Sequence, residues 1–223
     1  MKKNIFILII LFGGLLSFVS CDKETEDISR ITYYSDLQLK GAAQISLKVG
    51  ETYVEPGFTA EENEEDVSEN VVVSGTVNNN EPGAYTLVYK VKNVDGFEKT
   101  TSRLILVAPE EVSSLDISGV YTGQREGKAI TPDACQIINL GNGVFKATDF
   151  LGGYYNIIAG YGPAYSLGTY FYLKPDNTYE SLSNNSAFGP WDILNGVYNP
   201  TTKVLTHKVD QDGFAFNVTL TKQ

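Results

Sequence analysis

Hydrophobic and polar residues alternate with a period of two through much of the chain. Ile45, Leu47 and Val49 alternate with polar neighbours, and Gly50 ends the run. Side chains two positions apart lie on one face of a strand, so this pattern predicts a half-buried β-strand. Similar runs follow at residues 71–76, 85–91 and 98–107. Four or more antiparallel strands with no helical period predict a small β-sandwich over residues 37–108.

A second region, residues 115–223, has the sequence signs of consecutive hairpins. Three turn signals stand between alternating runs: Gly141-Asn142-Gly143, Pro175-Asp176-Asn177 and Gln211-Asp212-Gly213. A meander of this length hides its edge strands by curling round, so we expect an antiparallel, lipocalin-like β-barrel and an all-β chain. Residues 109–114, which contain Pro and two Glu, are predicted to form a short exposed linker between the two modules.

The first 20 residues have the organisation of an export signal. Lys2 and Lys3 precede an apolar stretch at 5–19 that is too short to span a bilayer comfortably, and Ser20 and Cys21 follow. The segment resembles a bacterial lipoprotein signal, in which cleavage occurs before a lipidated Cys. That resemblance implies a lipid anchor on Cys21, which would hold the protein at a membrane. The alternative is an ordinary secretory signal in which this Cys has no role.

An acidic run, Asp22 to Asp27, comes directly after Cys21. It resembles the signal that directs Bacteroidetes lipoproteins to the outer face of the outer membrane, which implies a cell-surface location. Residues 21–36 are expected to form a lipidated tether. The alternative for the acidic run is that it is only part of this solvated tether, and the two interpretations are compatible.

The first module is similar to the bacterial surface Ig-like repeats. The similarity is carried by residues 49–60 (VGETYVEPGFTA), 71–75 (VVVSG) and 82–89 (PGAYTLVY). It implies a spacer or display domain and names no ligand. The acidic residues Glu61 to Asp66 lie where such repeats place a loop, and their oxygens are of the kind that Ca²⁺ prefers. Their spacing lacks the alternation and the Gly of a dedicated calcium loop, so a solvated acidic loop is favoured over a calcium site.

The order of the two modules resembles that of two-domain Bacteroidetes surface lipoproteins of unknown function. Four strings carry this resemblance: 117–121 (ISGVY), 149–155 (DFLGGYY), 189–191 (GPW) and 195–202 (NGVYNPTT). Related lipoproteins are associated with the uptake of polysaccharides across the outer membrane. The resemblance therefore implies a glycan-handling role, with polysaccharide or outer-membrane transporter proteins as partners, and it assigns no binding residue.

Composition and charge argue against one class of partner. The chain has 17 basic and 27 acidic residues and a formal net charge of −10. Removal of Lys2 and Lys3 with the signal makes the mature chain still more negative. Such a surface repels phosphate backbones, so nucleic acid is not expected to bind.

The second module is rich in aromatic residues, including the only Trp of the chain. Sugar rings stack their C–H faces on aromatic rings while amide and carboxylate groups bind the hydroxyls, so a glycan site needs both kinds of side chain. Residues 149–165, expected at a rim, and residues 184–192, expected in an exposed loop, contain this mixture. The candidate glycan-binding residues are Trp191, Tyr154, Tyr155, Tyr161, Asn156 and Asp192.

The competing interpretation is that the rings fill a core, as most aromatic residues of a small barrel do. Trp191 and Tyr155 stay open between the two interpretations. If Trp191 belongs to a glycan site, its replacement by Ala is expected to abolish retention by a polysaccharide gel without unfolding the protein. Core or sheet-surface packing is expected for Tyr121, Phe145, Tyr170, Tyr172, Phe214 and Phe216.

Catalytic chemistry has little support in the sequence. The single His, His207, lies in a strand-like run and is expected to face solvent, and Cys135 is expected to be a buried structural thiol. One His and one internal Cys are too few soft ligands for zinc, and no cofactor motif is found. A glycosidase needs two facing carboxylates, but most of the available ones are in turn-like contexts: Asp149, Asp176, Asp192, Asp210 and Asp212.

Three functions therefore stand as hypotheses. The favoured one is a non-catalytic glycan-binding accessory protein at the cell surface. A docking subunit of an outer-membrane complex comes second and a hydrolase third. Exposed aromatic side chains on one face of the second module favour the first, a flat apolar patch favours the second, and a buried carboxylate pair in a cleft favours the third.

Overall fold

A computed structural model describes residues 31–223, and within them the fold is all-β. The predicted signal segment, Cys21 and the acidic run that follows it lie outside the described residues. In the part of the chain that is described, no helix is both long and apolar enough to cross a membrane.

Seven strands form the N-terminal module. They are β1 (Asp36–Leu39), β2 (Gln44–Lys48), β3 (Phe58–Glu62), β4 (Glu65–Asp66), β5 (Val72–Ser74), β6 (Gly83–Lys92) and β7 (Glu98–Ala108). One sheet has the order β1-β3-β4 and the other the order β2-β7-β6-β5. Buried side chains of both sheets, among them Leu37, Ala60, Tyr89 and Ile105, pack together as one core. The expected β-sandwich is confirmed.

The sandwich differs from the sequence prediction in two places. The prediction that its strands are all antiparallel is wrong for β2, which runs parallel to β7. After β2 the chain passes to the other sheet instead of turning back in a hairpin, and a period-two pattern carries no information about strand direction.

The second difference concerns the acidic run, which is a tight hairpin rather than an open loop. Asn63 and Glu64 connect β3 to β4 with φ angles of 50° and 66°, the backbone geometry of a two-residue hairpin turn. Within residues 31–223, no group of three or more His, Cys, Asp or Glu side chains is arranged to hold a metal ion.

A buried arginine ties the sandwich together. Arg103 of β7 is fully buried, and its guanidinium donates to Glu55 Oε1 at 3.0 Å. It also donates to three backbone carbonyls, those of Lys40, Ala42 and Gly57. A buried charge is costly unless it is paired and hydrogen bonded, and these partners meet that requirement. The guanidinium therefore joins the loop-rich segment 40–57 to the central sheet.

Eight strands of the C-terminal module close into a barrel. They are β8 (Gly119–Arg125), β9 (Thr131–Asn139), β10 (Val144–Ala147), β11 (Gly168–Leu173), β12 (Thr178–Asn185), β13 (Asp192–Asn199), β14 (Val204–Gln211) and β15 (Phe214–Lys222). The strands follow one another in chain order, each antiparallel to its neighbours, and the pairing of β15 with β8 closes the barrel. The predicted meander and barrel are confirmed, and each strand has a neighbour on both sides.

The interior of the barrel is filled by side chains. Phe145, Phe171 and Tyr179 point inward from the strands and are almost fully buried. Phe150, which belongs to no strand, joins them from the connection between β10 and β11, and its ring centroid lies 4.9 Å from that of Phe171. The interior is a packed core, as in other small eight-stranded barrels.

The linker between the modules is exposed at Glu110, Glu111 and Ser114, as predicted, but it is packed at Val112 and Ser113. Ser113 is buried, and its N–H donates to the Leu173 carbonyl at 2.7 Å. Val112 lies so close to Gly143 that a Cβ on that glycine would be 2.6 Å away. The charged residues that precede them suggested an exposed segment. Val112 and Ser113 are nonetheless small enough to be covered by neighbouring residues. The two modules share a further apolar cluster of Leu106, Ala108, Val144 and Tyr172.

Candidate functional site

The two ends of the barrel are covered by different parts of the chain. At one end, the linker contacts the points where β10 begins and β11 ends. At the other, which we call the distal end, the connections at residues 148–167, 186–191 and 212–213 come together. The first two of these connections contain most of the candidate glycan-binding residues.

Asp149 joins the two ends of the first connection. Its Oδ1 accepts the N–H of Leu151 at 2.8 Å and the N–H of Leu167 at 3.1 Å, so one oxygen joins the two ends of the connection. Burial raises the pKa of this carboxyl, although backbone hydrogen bonds act in the opposite direction. Asp149 is a structural clamp whose partners are backbone N–H groups rather than a second carboxylate.

Two glycines allow this connection to approach the strands closely. Gly152 and Gly153 have φ angles of 68° and 73°, and a Cβ on Gly123 of β8 would lie 2.6 Å from Gly152. Gly153 combines its positive φ with a close approach of its own, since a Cβ there would lie 2.7 Å from Thr131 Cγ2, and only glycine allows both. The chain then forms a short π-helical turn, Tyr154–Ile158, which carries Tyr154, Tyr155 and Asn156.

The second connection is held by side-chain amides. The Asn184 side chain makes the two hydrogen bonds that a paired strand would make with Trp191. Its Oδ1 accepts the Trp191 N–H at 2.8 Å, and its Nδ2 donates to the Trp191 carbonyl at 2.9 Å. Gln211 Nε2 donates to the carbonyls of Phe188 and Pro190. These bonds fix the backbone that carries Phe188 and Trp191.

Aromatic side chains from the two connections and from β15 form one group, which we call the distal aromatic cluster. The Phe188 ring lies at its centre, with centroid distances of 4.8 Å to Tyr165, 5.0 Å to Tyr155, 6.4 Å to Trp191 and 6.5 Å to Tyr161. These pairs meet edge to face, an arrangement that aromatic rings favour. The members of the cluster are Tyr154, Tyr155, Tyr161, Tyr165, Phe188, Trp191, Phe214 and Phe216.

Exposure decides which of these rings can contact a ligand. Tyr161 is 56% exposed, Phe214 53% and Phe188 37%, whereas Trp191 is 5% exposed and Tyr155 9%. Trp191 and Tyr155 are therefore packed within the cluster, and only a small part of each ring can be reached from solvent. Because this burial makes Trp191 part of the packing, we expect Trp191→Ala to lower the stability rather than leave the fold unaffected. Phe188 and Phe214 present the surface instead, although sequence analysis chose neither as a binding residue and expected Phe214 to pack in the core or on the sheet surface.

Sequence analysis also missed an arginine that lies against the cluster. Arg125 ends β8 on the face that it shares with Tyr121 and Gly123, both buried. Its guanidinium carbon is 4.1 Å from the Phe216 ring centroid, and Nη1 donates to the Tyr155 hydroxyl at 2.8 Å. Three more ring centroids lie 4.8, 5.2 and 5.4 Å away, those of Tyr154, Tyr155 and Phe214.

A groove in the barrel wall begins beside the cluster. β12 and β13 are paired only at Thr178 with Val197 and at Tyr179 with Gly196, and the rest of the two strands is unpaired with each other. This separation leaves a groove of about 530 Å³. Hydroxyl and carboxylate groups that can bind sugar hydroxyls line it, among them Ser181, Ser183 and Asp192, together with Asn184, whose amide is bonded to Trp191 and Ser181.

The six candidate residues thus lie at or beside the distal end. Tyr154, Tyr155, Tyr161 and Trp191 belong to the cluster. Asn156 is half-buried on the π-helical turn, and Asp192 is exposed in the groove. Their role in binding stays a prediction.

The single histidine is buried, so the prediction that it faces solvent is wrong. His207 Nε2 donates to the Phe150 carbonyl at 2.8 Å, and Nδ1 accepts from the Tyr179 hydroxyl at 2.7 Å. Burial lowers the pKa of the ring to about 4, which keeps it neutral at pH 7. The signal was present in the sequence, because the alternation of β14 places His207 on the face of Leu205 and Val209, both core residues.

Two other predictions about reactive groups can be compared with the structure. Cys135 is buried and unpaired, and burial raises the pKa of its thiol to about 12, which confirms a structural thiol. Asp176 accepts the Thr178 N–H and Asp210 accepts the Gly213 N–H, the ordinary use of Asp in turns.

Two family models match the chain. One describes an Ig-like domain of bacterial surface proteins and matches residues 37–107, and the other describes a C-terminal domain and matches residues 111–222. Neither indicates a catalytic family. A search of curated proteins gave no match.

Among solved structures, the lipoprotein BT2262 from Bacteroides thetaiotaomicron is 36% identical, with 85% of this chain and 100% of that chain covered and a TM-score of 0.48. Two structures from ZmpB of Clostridium perfringens are 13% and 12% identical, with TM-scores of 0.30 and 0.31. The first contains CBM51-2 in complex with GlcNAc and INT domains, and the second the M60 catalytic domain with CBM51-1 and CBM51-2. They cover 84% and 86% of this chain and 43% and 21% of their own. Structural likenesses at this level carry no argument about function.

Proposed function

The chain belongs to the family of two-domain bacterial surface lipoproteins that includes BT2262, and from this premise we propose that it binds a glycan at the outer face of the outer membrane and catalyses no reaction. The observation that carries the proposal is the distal aromatic cluster, whose exposed rings lie beside a groove lined by hydroxyl, amide and carboxylate groups. Both kinds of group that a sugar requires are therefore within reach of one another.

The exposed rings are held in place by their neighbours. The Tyr161 centroid is 5.3 Å from that of Tyr165, and the Phe214 centroid is 5.9 Å from that of Phe216 and 6.1 Å from that of Trp191. Rings fixed in this way lose little conformational freedom when a ligand stacks on them, so more of the stacking energy contributes to affinity.

The proposed location depends on the lipid on Cys21. The sandwich lies between that residue and the barrel in the sequence, which suits a spacer that separates the binding domain from the membrane. The predicted export signal at residues 22–27 supports the outer face of the outer membrane.

A glycan-array screen of residues 22–223, followed by affinity electrophoresis in the retained polysaccharides, tests the proposal. Replacing Tyr161 or Phe214 with Ala is expected to weaken binding about tenfold, because a lost stacked ring costs about 1.4 kcal/mol. Tyr34→Ala is the matched control, since Tyr34 is 68% exposed in the sandwich. Absence of any bound glycan, or an equal loss in the Tyr34 variant, would overturn the proposal.

A second function is favoured by one observation at the same end of the barrel. Ile157 and Ile158 of the π-helical turn are 47% and 46% exposed, and exposed aliphatic side chains suit a protein partner better than a sugar. If the wild type binds no glycan and Ile158→Asp abolishes co-purification with an outer-membrane complex from the native host, docking replaces glycan binding as the function.

A further inference from the structure

Arg125 has hydrogen-bonding capacity that the protein itself does not use. A guanidinium has five N–H donors, and the hydrogen bond to the Tyr155 hydroxyl uses one of them. Within residues 31–223, no carboxylate forms an ion pair with it. The neighbouring Glu126 is engaged by Asn217, whose backbone N–H and Nδ2 both donate to its Oε2.

Arg103, which serves only the fold, differs from Arg125 in its hydrogen-bond and ion-pair partners. Arg103 is paired with Glu55 and bonded to three backbone carbonyls. Arg125 is instead surrounded by the faces of four rings and is half-buried, so it can be reached from solvent. Ring faces attract a cation but leave its in-plane N–H donors free.

A second cation lies at the same place. Lys128 Nζ is 5.4 Å from the centroid of the Tyr154 ring, which also faces the Arg125 guanidinium. Two positive charges therefore flank one ring in a chain whose formal net charge is −10. Arg125 is half-buried whereas Lys128 is exposed, and partial removal from water strengthens the attraction between the Arg125 guanidinium and an anion.

We propose that the distal end selects sugars that carry a negative charge, a carboxylate or a sulfate ester, and that Arg125 binds this group while a ring of the distal aromatic cluster stacks on the sugar. The inference rests on the proposed glycan-binding function and narrows it to anionic saccharides. The planar fork of the guanidinium matches the two oxygens of either anion.

Two matched pairs of polysaccharides test the proposal by affinity electrophoresis at 0.15 M salt, an ordinary physiological condition. Polygalacturonate is compared with its highly methyl-esterified form, and dextran sulfate with dextran. We expect the wild type to bind the charged member of at least one pair about tenfold or more tightly than the neutral member, as expected for a hydrogen bond between charged groups. The pair that shows the preference identifies the anion as carboxylate or sulfate.

The variants separate a recognition role from a structural one. Arg125→Gln is expected to remove the preference for the charged polysaccharide, and Arg125→Lys to retain part of it, because the charge stays and the fork is lost. Lys203→Gln removes one positive charge from the exposed turn between β13 and β14, at the other end of the barrel, and is expected to leave the preference unchanged. Unfolding profiles show that each variant is folded, and Lys128→Gln provides a second measurement if Arg125→Gln is not.

Three results would overturn the inference: equal binding of charged and neutral polysaccharides, an undiminished preference in folded Arg125→Gln, or no binding of any of the four polysaccharides. If the glycan array finds a neutral glycan in any of these cases, the proposed function survives and only its restriction to anionic sugars fails. If the array finds nothing, both fail.

Discussion

The buried His207 should make the stability of the barrel depend on pH in a range where few other side chains titrate. Burial lowers the pKa of the folded residue to about 4, against 6.5 for a free histidine. As the pH falls below 6.5, the unfolded chain binds a proton that the folded chain excludes until about pH 4. The stability that the neutral ring contributes is therefore fully present above pH 6.5 and is lost as the pH falls towards 4. Linkage predicts a loss of about 2 kcal/mol between pH 7 and pH 5.

Urea unfolding at pH 7, 6 and 5 measures this loss, and the fluorescence of Trp191 reports it, because this residue is the only Trp and lies in the barrel core. The control is His207→Gln, which cannot titrate. Burial raises the pKa of Asp149, so that group acts in the opposite direction and stabilises the fold as the pH falls. Comparison of wild type with the variant cancels that contribution. Parallel stability curves for the two proteins would refute the reasoning, because they would mean that His207 ionises equally in both states.

Three further predictions follow from the packing and the sequence. Trp191→Ala should lower the free energy of unfolding by about 3–5 kcal/mol, measured by urea titration followed by circular dichroism, and Trp191→Phe should cause a smaller loss. A loss below about 1 kcal/mol for Trp191→Ala would contradict the buried position of the ring. Arg103→Met should cost about 2–5 kcal/mol in the same assay because the carbonyls of Lys40 and Ala42 lose their donor and each unsatisfied buried group costs about 1–3 kcal/mol, and an unchanged midpoint would contradict the proposed tie. Cys21→Ala should release the protein from membranes of its native host; continued membrane association, or a wild-type N-terminal peptide with an unmodified thiol, would contradict the lipid anchor.

The sequence predicted the fold well where one face of each strand is apolar. The alternation in β2, β6 and β7 and the Gly and Asn turns of the barrel correspond to observed strands and hairpins, because burial on one face imposes a period of two. The direction of β2 escaped prediction because it depends on how the chain passes between sheets. The packing of Val112 and Ser113 was not predicted, because it depends on contacts with residues distant in the sequence, such as Gly143.

The sequence predicted where the candidate site lies but not which of its aromatic side chains are exposed. The segments around Tyr155 and Trp191 do meet at one end of the barrel, yet residue type alone did not show which rings are buried. Arg125 and Phe214 gave a usable signal, since each shares the alternating face of its strand with buried residues and stands at the strand end. A residue at that position lies at the mouth of a barrel, where it is partly covered and still accessible.

Chemical-shift mapping with a glycan retained in the array tests most directly whether ligand binding occurs at the distal aromatic cluster. We expect the largest shifts in ¹⁵N-labelled residues 22–223 to occur around Arg125, Tyr161, Phe188 and Phe214. Shifts confined to the sandwich or to the opposite end of the barrel would contradict this expectation.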